Sequence, residues 1–447
     1  MNSTVRLLAA ALAVCPFLAS AQPAAKARSV VVISLDGFPA YDLDDPKLPI
    51  PTLRKLIAHG SLARRMTTVN PTVTWPNHTA IVTGVDASRH GLLVNGSIVR
   101  TGSWPPVKVE PWIPKENMVH AVTVYDVAHT AGLTTAQVDW VAIKSAPGIT
   151  WEFPEIPSVD GPIEREMIAR GLIDADAIQQ FGKSNILRRD QFWTDAAIHI
   201  LREHKPNLLL FHLLSLDATH HTYGPRSLAG NGAIAFLDSC VARLLEGIRA
   251  AGMEDRTTVI VVSDHGFKQV KNQIHVNVAL AGMHLEDKVY AMPEGGLALV
   301  YVDPKSAADT MPVLRKGLAA IDGIAEVAGH ERYQALGLPD PARDPQMADL
   351  VLIPKSGYAF SASRGGPVST TVASASGAHG YVNTDPELDA IFIASGKGIR
   401  PGVTLDRVRN MDVAPTVAAL LGVRMPNDIQ GKTILGILSD APAASAH

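Results

Sequence analysis

Cysteine is scarce in this sequence, and its scarcity limits what can hold the fold together. Only Cys15 and Cys240 occur in 447 residues. Cys15 lies in a segment that we expect to be removed, so the processed chain could form no intrachain disulfide. Cys240 lies in FLDSCVARLLEGI, among apolar residues at helical spacing, and we interpret it as a buried structural thiol. The hydrophobic core, with or without bound metal, must therefore stabilise the fold.

An excess of charge of either sign is also absent. The chain has 40 Lys and Arg against 43 Asp and Glu, for a formal net charge of -3. This balance argues against a broad basic surface that would hold nucleic acid as a stable partner. No internal repeat or low-complexity tract interrupts the chain. Its length and 47% hydrophobic content suffice for one large or two modest domains.

A long membrane-spanning run is missing from the N-terminus. Arg6 precedes an apolar run over residues 7–18, which is too short to cross a bilayer comfortably. An Ala-Ser-Ala cleavage pattern then ends at Ala21. We predict a signal peptide over residues 1–21 and a periplasmic or secreted protein with no transmembrane anchor after cleavage. The valine before Cys15 argues against a lipoprotein signal.

Strand-like and helix-like segments alternate along most of the chain. SVVVISLDG, NLLLFHLLSLD and TTVIVVSDHG are typical of buried parallel strands. Segments between them, such as DQFWTDAAIHILREH, are typical of helices. The alternation predicts an α/β fold with a doubly wound, mostly parallel sheet flanked by helices.

The same pattern suggests a domain organisation. We predict a core over residues 28–267 and 375–437, with a smaller insertion at about 98–182. An α+β cap is predicted to be inserted over residues 268–374, where strand-like and helical segments mix with frequent Pro and Gly. Residues 438–447 are predicted to form a flexible tail.

Acidic residues follow three of the predicted strands. These are Asp36, Asp264 and, a few residues past its strand, Asp217. His265 is adjacent to Asp264, and His221 lies four residues after Asp217, on the same face if that segment is helical. A lone Asp at such a position is usually a turn residue or helix cap. Three of them at the ligand-binding edge of a parallel sheet favour a binding site.

A further imidazole, His379, lies between small residues in GAHGY, where a tight turn can hold it. Mixed oxygen and nitrogen ligands suit Zn²⁺ or another first-row ion. Three carboxylates and three imidazoles are too many for one open catalytic zinc and about right for two. Two ions about 4 Å apart would clamp a phosphoryl group for in-line displacement. Any one Asp–His pair alone would more often be structural.

A nucleophile for such a site is suggested by NPTVTWPNHTAIVTG, residues 70–84, which contains four threonines. The segment predicts a helix with proline in its first turn and an end at Gly84. The amides and dipole of a helix N-terminus favour an anion. The segment alone does not decide which threonine, if any, is reactive.

Six motifs occur in the order found in the alkaline phosphatase superfamily: SLDGF, PTVTWPNHTAIVTG, HGLLVNGS, DATHHTYGP, VSDHGF and AHGY. They most resemble the nucleotide pyrophosphatase/phosphodiesterase (type I phosphodiesterase) branch, from about residue 30 to 422 and least in the two insertions. The resemblance implies two Zn²⁺ per chain and hydrolysis of phosphodiester or pyrophosphate bonds through a phosphothreonine intermediate. The implied partner is a small phosphodiester, such as a nucleotide or a lipid head group.

The resemblance also implies a role for each matching residue. Thr74 matches the nucleophile, and Asn95 matches a donor to a non-bridging phosphate oxygen. The implied ligands of the first zinc and then of the second are Asp217, His221 and His379; Asp36, Asp264, His265 and the Thr74 hydroxyl. Trp75 stands where Phe is common and would either stack on the substrate or form a wall of the core. Four nearby polar residues are interpreted as capping or packing residues: Asn77, His78, His90 and His220.

The neutral Asn95 favours a monoanionic diester over a dianionic monoester, which would gain from a full positive charge. Two alternatives remain open at this level. One is a phosphonate hydrolase or broad phosphomonoesterase of the same superfamily. The other is a non-catalytic metal-binding protein. The leaving group is not identified by the sequence.

Overall fold

The computed structural model describes residues 28–439. The predicted signal peptide and nearly all of the predicted tail lie outside this part of the chain. Seventeen strands and fourteen α-helices are described. The strands are β1 Ser29–Leu35, β2 Ser61–Thr67, β3 Ser97–Arg100, β4 Val107–Glu110, β5 Thr135–Val138, β6 Trp151–Phe153, β7 Leu208–Leu213, β8 Thr257–Val262, β9 Lys268–His275, β10 Val289–Pro293, β11 Ala298–Val302, β12 Ile324–Ala328, β13 Leu350–Pro354, β14 Tyr358–Ser361, β15 Ser369–Ala378, β16 Ala390–Gly396 and β17 Val403–Arg409. The helices are α1 Pro51–Ala58, α2 Thr74–Thr83, α3 Ala87–His90, α4 Lys115–Met118, α5 Val124–Thr130, α6 Pro162–Ala169, α7 Ala175–Gln179, α8 Ile186–Glu203, α9 Ser215–Tyr223, α10 Leu228–Ala250, α11 Val276–Gly282, α12 Ala307–Ala319, α13 His330–Leu336 and α14 Val413–Leu421.

Eight strands form the central sheet, in the order β17-β2-β16-β8-β1-β7-β5-β6. β16 is antiparallel to both of its neighbours, and the other adjacent pairs are parallel. The predicted doubly wound, mostly parallel α/β fold is confirmed. β1 lies in the middle and is buried along its whole length, which explains its continuous run of β-branched residues.

Alternate residues of β1 pack into two different cores. Ile33 belongs to a core formed with α1, α6, α8 and α10 on one face of the sheet. Val32 belongs to a core formed with α2, α5 and α14 on the other face. Side chains of a strand alternate between faces, so one apolar strand can supply both layers. α10 is long and apolar enough to cross a membrane by composition, but its apolar residues pack into the first core.

The predicted cap segment contains its own sheets. β10-β11-β13-β12 form a four-stranded antiparallel sheet, and β14-β9-β15 form a three-stranded sheet. α11 and α12 cover the four-stranded sheet through a separate apolar cluster. β15 ends at Ala378, directly before His379.

The predicted smaller insertion at 98–182 is only partly outside the core. The β3–β4 hairpin stands apart from the central sheet, but β5 and β6 are its edge strands. This part of the segment therefore belongs to the core, which corrects the sequence-based boundary. TAQV and WEF are too short, and TAQV too polar, to give the long apolar signal that marked the central strands.

Candidate active site

The carboxyl edge of the central sheet gathers the predicted ligands. Asp36 follows β1 and Asp264 follows β8, the parallel neighbour of β1. Asp217 lies in α9, which begins two residues after the end of β7, the other parallel neighbour. Parallel strands end at the same edge, so residues far apart in sequence come together there.

One group of ligands is completely buried. Asp36, Asp264 and His265 each have 0% exposure. His265 Nε2 lies 3.1 Å from an Asp264 carboxylate oxygen and 3.5 Å from an Asp36 oxygen. The ligand atoms of all three residues lie within 4.8 Å of one another, so this group could hold one metal ion.

A second group forms on α9 and the loop after β15. His221 Nε2 lies 3.4 Å from Asp217 Oδ1, and His379 Nε2 lies 3.7 Å from the same oxygen. Asp217 and His221 are one helical turn apart, as their spacing predicted. His220 is buried and is not a member of this group, and its Nδ1 lies 3.3 Å from the Gly37 carbonyl oxygen.

The two groups are adjacent. The His265 ring, from the first group, stacks on the His379 ring, from the second, with centroids 3.9 Å apart and an angle of 16° between planes. Burial and the neighbouring His265 and His221 hold the pKa of His379 well below its ordinary value. A neutral imidazole has the free lone pair that a metal requires.

The carboxylates fit bound cations for an independent reason. Three buried carboxylate oxygens make no hydrogen bond and have the ligand imidazoles as close neighbours: Asp36 Oδ1, Asp217 Oδ1 and Asp264 Oδ2. Burial, followed by the charges of Asp264 and Asp217, raises the pKa of Asp36 well above its ordinary value. Unpaired buried carboxylates are costly. Metal ions in the two groups would satisfy these oxygens and offset the repulsion.

Thr74 lies beside these groups, at the first residue of α2. Its Oγ1 is 3.5 Å from His265 Nε2. Val73 is extended and Gly84 adopts a left-handed conformation with φ 73°, so the helix spans the region that the sequence predicted. The hydroxyl is therefore at a helix N-terminus and at the edge of a candidate metal group.

Asn95 is attached to the same helix end. The Trp75 backbone N–H donates a hydrogen bond to Asn95 Oδ1 at 3.0 Å. Since the amide oxygen is used in this contact, the Asn95 NH₂ group is the part available as a donor.

Three other polar residues, which the sequence analysis interpreted as capping or packing residues, make local contacts with the backbone. His78 lies 2.9 Å from the Thr74 carbonyl oxygen through Nδ1. Asn77 accepts a hydrogen bond from the Val69 N–H and donates to the Pro71 carbonyl oxygen. His90 Nδ1 accepts a hydrogen bond from the backbone N–H two residues later.

Sequence reasoning missed two residues, His212 and Asp139, that support Asp36. His212 lies between the two carboxylates. His212, in β7, lies 2.9 Å from Asp36 Oδ2 through Nε2 and 3.2 Å from an Asp139 carboxylate oxygen through Nδ1. Burial lowers the pKa of His212. The contacts with Asp139 and Asp36 raise this pKa by more than burial lowers it, so the His212 pKa lies well above its ordinary value. The signal available in the sequence was a lone histidine inside the apolar strand LLLFHL.

A cavity of about 400 Å³ opens next to the helix that carries Thr74. Trp75, Trp112 and Trp140 contribute to its lining. The Trp75 and Trp112 rings meet edge to face, with centroids 6.1 Å apart. Trp75 is 7% exposed and also belongs to a small apolar cluster, so it both packs in the protein and faces the cavity.

Comparison with known proteins identifies the family and the fold. The family model "Type I phosphodiesterase / nucleotide pyrophosphatase" matches residues 30–382. Mouse ectonucleotide pyrophosphatase/phosphodiesterase family member 7 is 23% identical over 96% of this chain and 91% of its own length. Human ectonucleotide pyrophosphatase/phosphodiesterase 5 has a similar structure, with a TM-score of 0.70, 19% identity, and coverage of 89% of this chain and 96% of that chain.

The murine form of the latter protein, solved as an inactive threonine-to-alanine variant in complex with AMP, gives a TM-score of 0.69 at 20% identity over 89% of this chain and 96% of that chain. At this identity the likeness of the solved structures supports the fold, and the family model supports the class of chemistry. The chain belongs to the type I phosphodiesterase / nucleotide pyrophosphatase family, and it is a metal-dependent hydrolase of phosphoric diesters.

Proposed function

We propose that this chain is an exported two-zinc phosphodiesterase or nucleotide pyrophosphatase that uses Thr74 as its nucleophile. One observation carries the proposal. The Thr74 hydroxyl lies 3.5 Å from His265, where two ligand groups of suitable composition meet through the stacked rings of His265 and His379. A threonine hydroxyl is a weak nucleophile until it is activated, and this is a place where activation is available.

Residues of both groups supply the donors for the metal ions. The set mixes carboxylate oxygens with imidazole nitrogens, which suits zinc: Asp217, His221 and His379; Asp36, Asp264 and His265, with Thr74 Oγ1 beside the second group. When bound, two such ions supply positive charge that favours the deprotonated hydroxyl and stabilises both the attacking and the leaving oxygens.

The residues of the chain would act in two steps. Thr74 Oγ1 attacks phosphorus in line, the bond from phosphorus to the leaving oxygen breaks, and the alcohol or nucleotide departs after taking up a proton. Water then attacks phosphorus from the vacated side, which releases the phosphate product and restores the Thr74 hydroxyl. The backbone amides at the start of α2 and the Asn95 NH₂ group stabilise the non-bridging oxygens in both steps.

A nucleotide-containing diester is the substrate class that we favour. Asn95 is neutral, and a diester brings a single negative charge. A related protein of known structure binds AMP. The cavity beside Trp75 offers aromatic surface to a base or to an aromatic leaving group.

Hydrolysis of bis-p-nitrophenyl phosphate and p-nitrophenyl phosphate tests the proposal. We expect the wild-type chain to prefer the diester by orders of magnitude, and Thr74→Ala to lose at least about 10³-fold in kcat. Thr79→Ala is a matched control in the same helix, because the Thr79 hydroxyl is buried without a hydrogen-bond partner. Preference for the monoester, or an active Thr74→Ala variant, would contradict the proposal.

The proposed export is based on the sequence pattern at the N-terminus and is supported by the names of its relatives, which are ectoenzymes. We expect the protein purified from the periplasm or culture medium to begin at Gln22. N-terminal sequencing checks the cleavage site, and a protein retained in the cytoplasm with Met1 intact would refute it.

A further inference from the structure

A third group of potential ligands lies outside the catalytic groups. Glu166 is on α6, His199 is on α8, and His204 is the residue that caps the C-terminus of α8. His199 Nε2 lies 2.9 Å and His204 Nε2 lies 2.8 Å from the same oxygen, Glu166 Oε2. The three ligand atoms lie within 4.8 Å of one another, as do those of each of the two proposed catalytic groups.

This group lies near the amino ends of the parallel strands of the central sheet, whereas Thr74 lies near their carboxyl ends. His204 precedes the first residue of β7, whereas Asp217 follows the last residue of that strand. Six residues of β7 separate the two edges by about 20 Å. The group is therefore independent of the proposed catalytic metals.

The positions of the two imidazoles are fixed by packing. The His199 side chain is 2% exposed. The His204 ring stacks on Trp151, with centroids 3.9 Å apart and an angle of 26° between planes. Glu166 is the most exposed of the three, with 35% of its side chain exposed. Two held nitrogens and one adjustable carboxylate, with a route to solvent, have the form of a metal site.

We propose that Glu166, His199 and His204 bind a third divalent first-row ion, of the zinc type, with a remaining position open to water. Metal–ligand distances of about 2.0–2.2 Å at tetrahedral angles keep ligand atoms about 3.4 Å apart. The nitrogen-to-oxygen distances here need to widen by only about half an ångström, which rotation of Glu166 can supply. The ion would link α6 to α8 beside β6, which is the outermost strand on that side of the central sheet.

The alternative is a cluster without metal, in which both imidazoles are protonated at Nε2 and donate hydrogen bonds to Glu166. If both imidazoles donate to Glu166 Oε2, both Nε2 atoms carry hydrogen, whereas a metal needs both lone pairs. The two states exclude each other, so the amount of bound metal distinguishes them.

Metal content of the full-length protein tests the proposal. Wild type, Glu166→Gln and Glu203→Gln are stripped with EDTA, reloaded with Zn²⁺, desalted and measured by inductively coupled plasma mass spectrometry. Glu203→Gln is the matched control, since Glu203 is next to His204 and pairs with Arg170 at the surface. We expect Glu166→Gln to hold one zinc fewer per chain than the other two and to keep wild-type diesterase activity.

A second readout uses stability. We expect reloading with Zn²⁺ to raise the Tm of wild type and Glu203→Gln more than that of Glu166→Gln. His204→Ala, with a more exposed ligand than His199, provides the same comparison if Glu166→Gln folds poorly. Equal zinc contents in all variants would overturn the proposal and leave the group as a hydrogen-bonded cluster. The measured quantity is the difference in zinc content between variants, which does not depend on how many ions the proposed catalytic groups bind. This result is therefore separable from failure of the proposed function.

Discussion

The backbone N–H of Trp75 donates a hydrogen bond to the side-chain oxygen of Asn95 at 3.0 Å. This contact ties the residue after the proposed nucleophile to the segment before β3. It also sets the orientation of the amide, because the oxygen is engaged and the NH₂ group is left to face a ligand. A single hydrogen bond thus links the position of Thr74 to the donor that we expect to contact the phosphate.

Asn95→Ala should lower kcat for diester hydrolysis by about 10²–10³-fold, since a preorganised donor to a developing anion contributes about 3–4 kcal/mol. Asn95→Asp separates the two roles of the side chain. It keeps an acceptor for the Trp75 N–H, but it replaces the donor with a negative charge. Steady-state kinetics should show a loss at least as large for Asn95→Asp, and near wild-type activity in that variant would rule out the donor role.

His212→Ala should weaken metal retention at the group that contains Asp36, because His212 fixes one oxygen of that carboxylate and leaves the other for an ion. Loss of such a supporting contact typically costs about 10–100-fold in metal affinity. Competition with a zinc chelator measures the effect. His212→Gln, which keeps a donor, should recover part of it. Unchanged zinc affinity in His212→Ala would show that the contact serves folding alone.

Trp112→Ala should raise KM for diesters with aromatic or nucleoside groups, with an effect of about 5–10-fold, while leaving kcat for a small aliphatic diester unchanged. Trp112 lies on the cavity wall against Trp75 and is 46% exposed. An aromatic contact is worth about 0.5–1.5 kcal/mol, and the exposure keeps the cost in stability small. Kinetics on paired aromatic and aliphatic substrates decide the matter, and equal changes for both would contradict a stacking role.

Asp42→Asn should stabilise the protein at high pH. Asp42 is 7% exposed, and burial raises its pKa to about 7, against an opposing effect of Arg226. A raised folded-state pKa means that stability is greatest below the unfolded value near 4 and falls as the pH rises to about 7. The asparagine variant avoids this loss, which is on the order of 4 kcal/mol for a pKa raised from about 4 to about 7.

Urea unfolding of both chains from pH 4 to 8 measures the difference. The variant and the wild type should be similar at pH 4 and should separate in favour of the variant by pH 8. A constant difference across this range would indicate that the Asp42 carboxyl titrates at its ordinary pKa in the folded protein.

Local patterns in the sequence were sufficient to predict much of the fold and to indicate several candidate site residues. Continuous β-branched runs identified the central strands, since strands buried on both faces need apolar residues throughout. The residues after these strands gave the predicted ligands Asp36, Asp264 and His265, which the structure brings together. The spacing of Asp217 and His221 required only one helical turn. Each of these inferences depends on neighbours in sequence, where the periodicity of the backbone determines which side chains share a place.

Contacts between distant segments were decided by the tertiary structure alone. The stacking of His379 on His265 depends on where the three-stranded sheet places the end of β15, next to the residues that follow β8. The contact between His212 and Asp36 depends on the register of two parallel strands. The meeting of Glu166 with His199 and His204 depends on the packing of two helices. The type of a residue shows which kinds of group it can bind. Which residue it contacts is determined by the burial and packing of the whole chain.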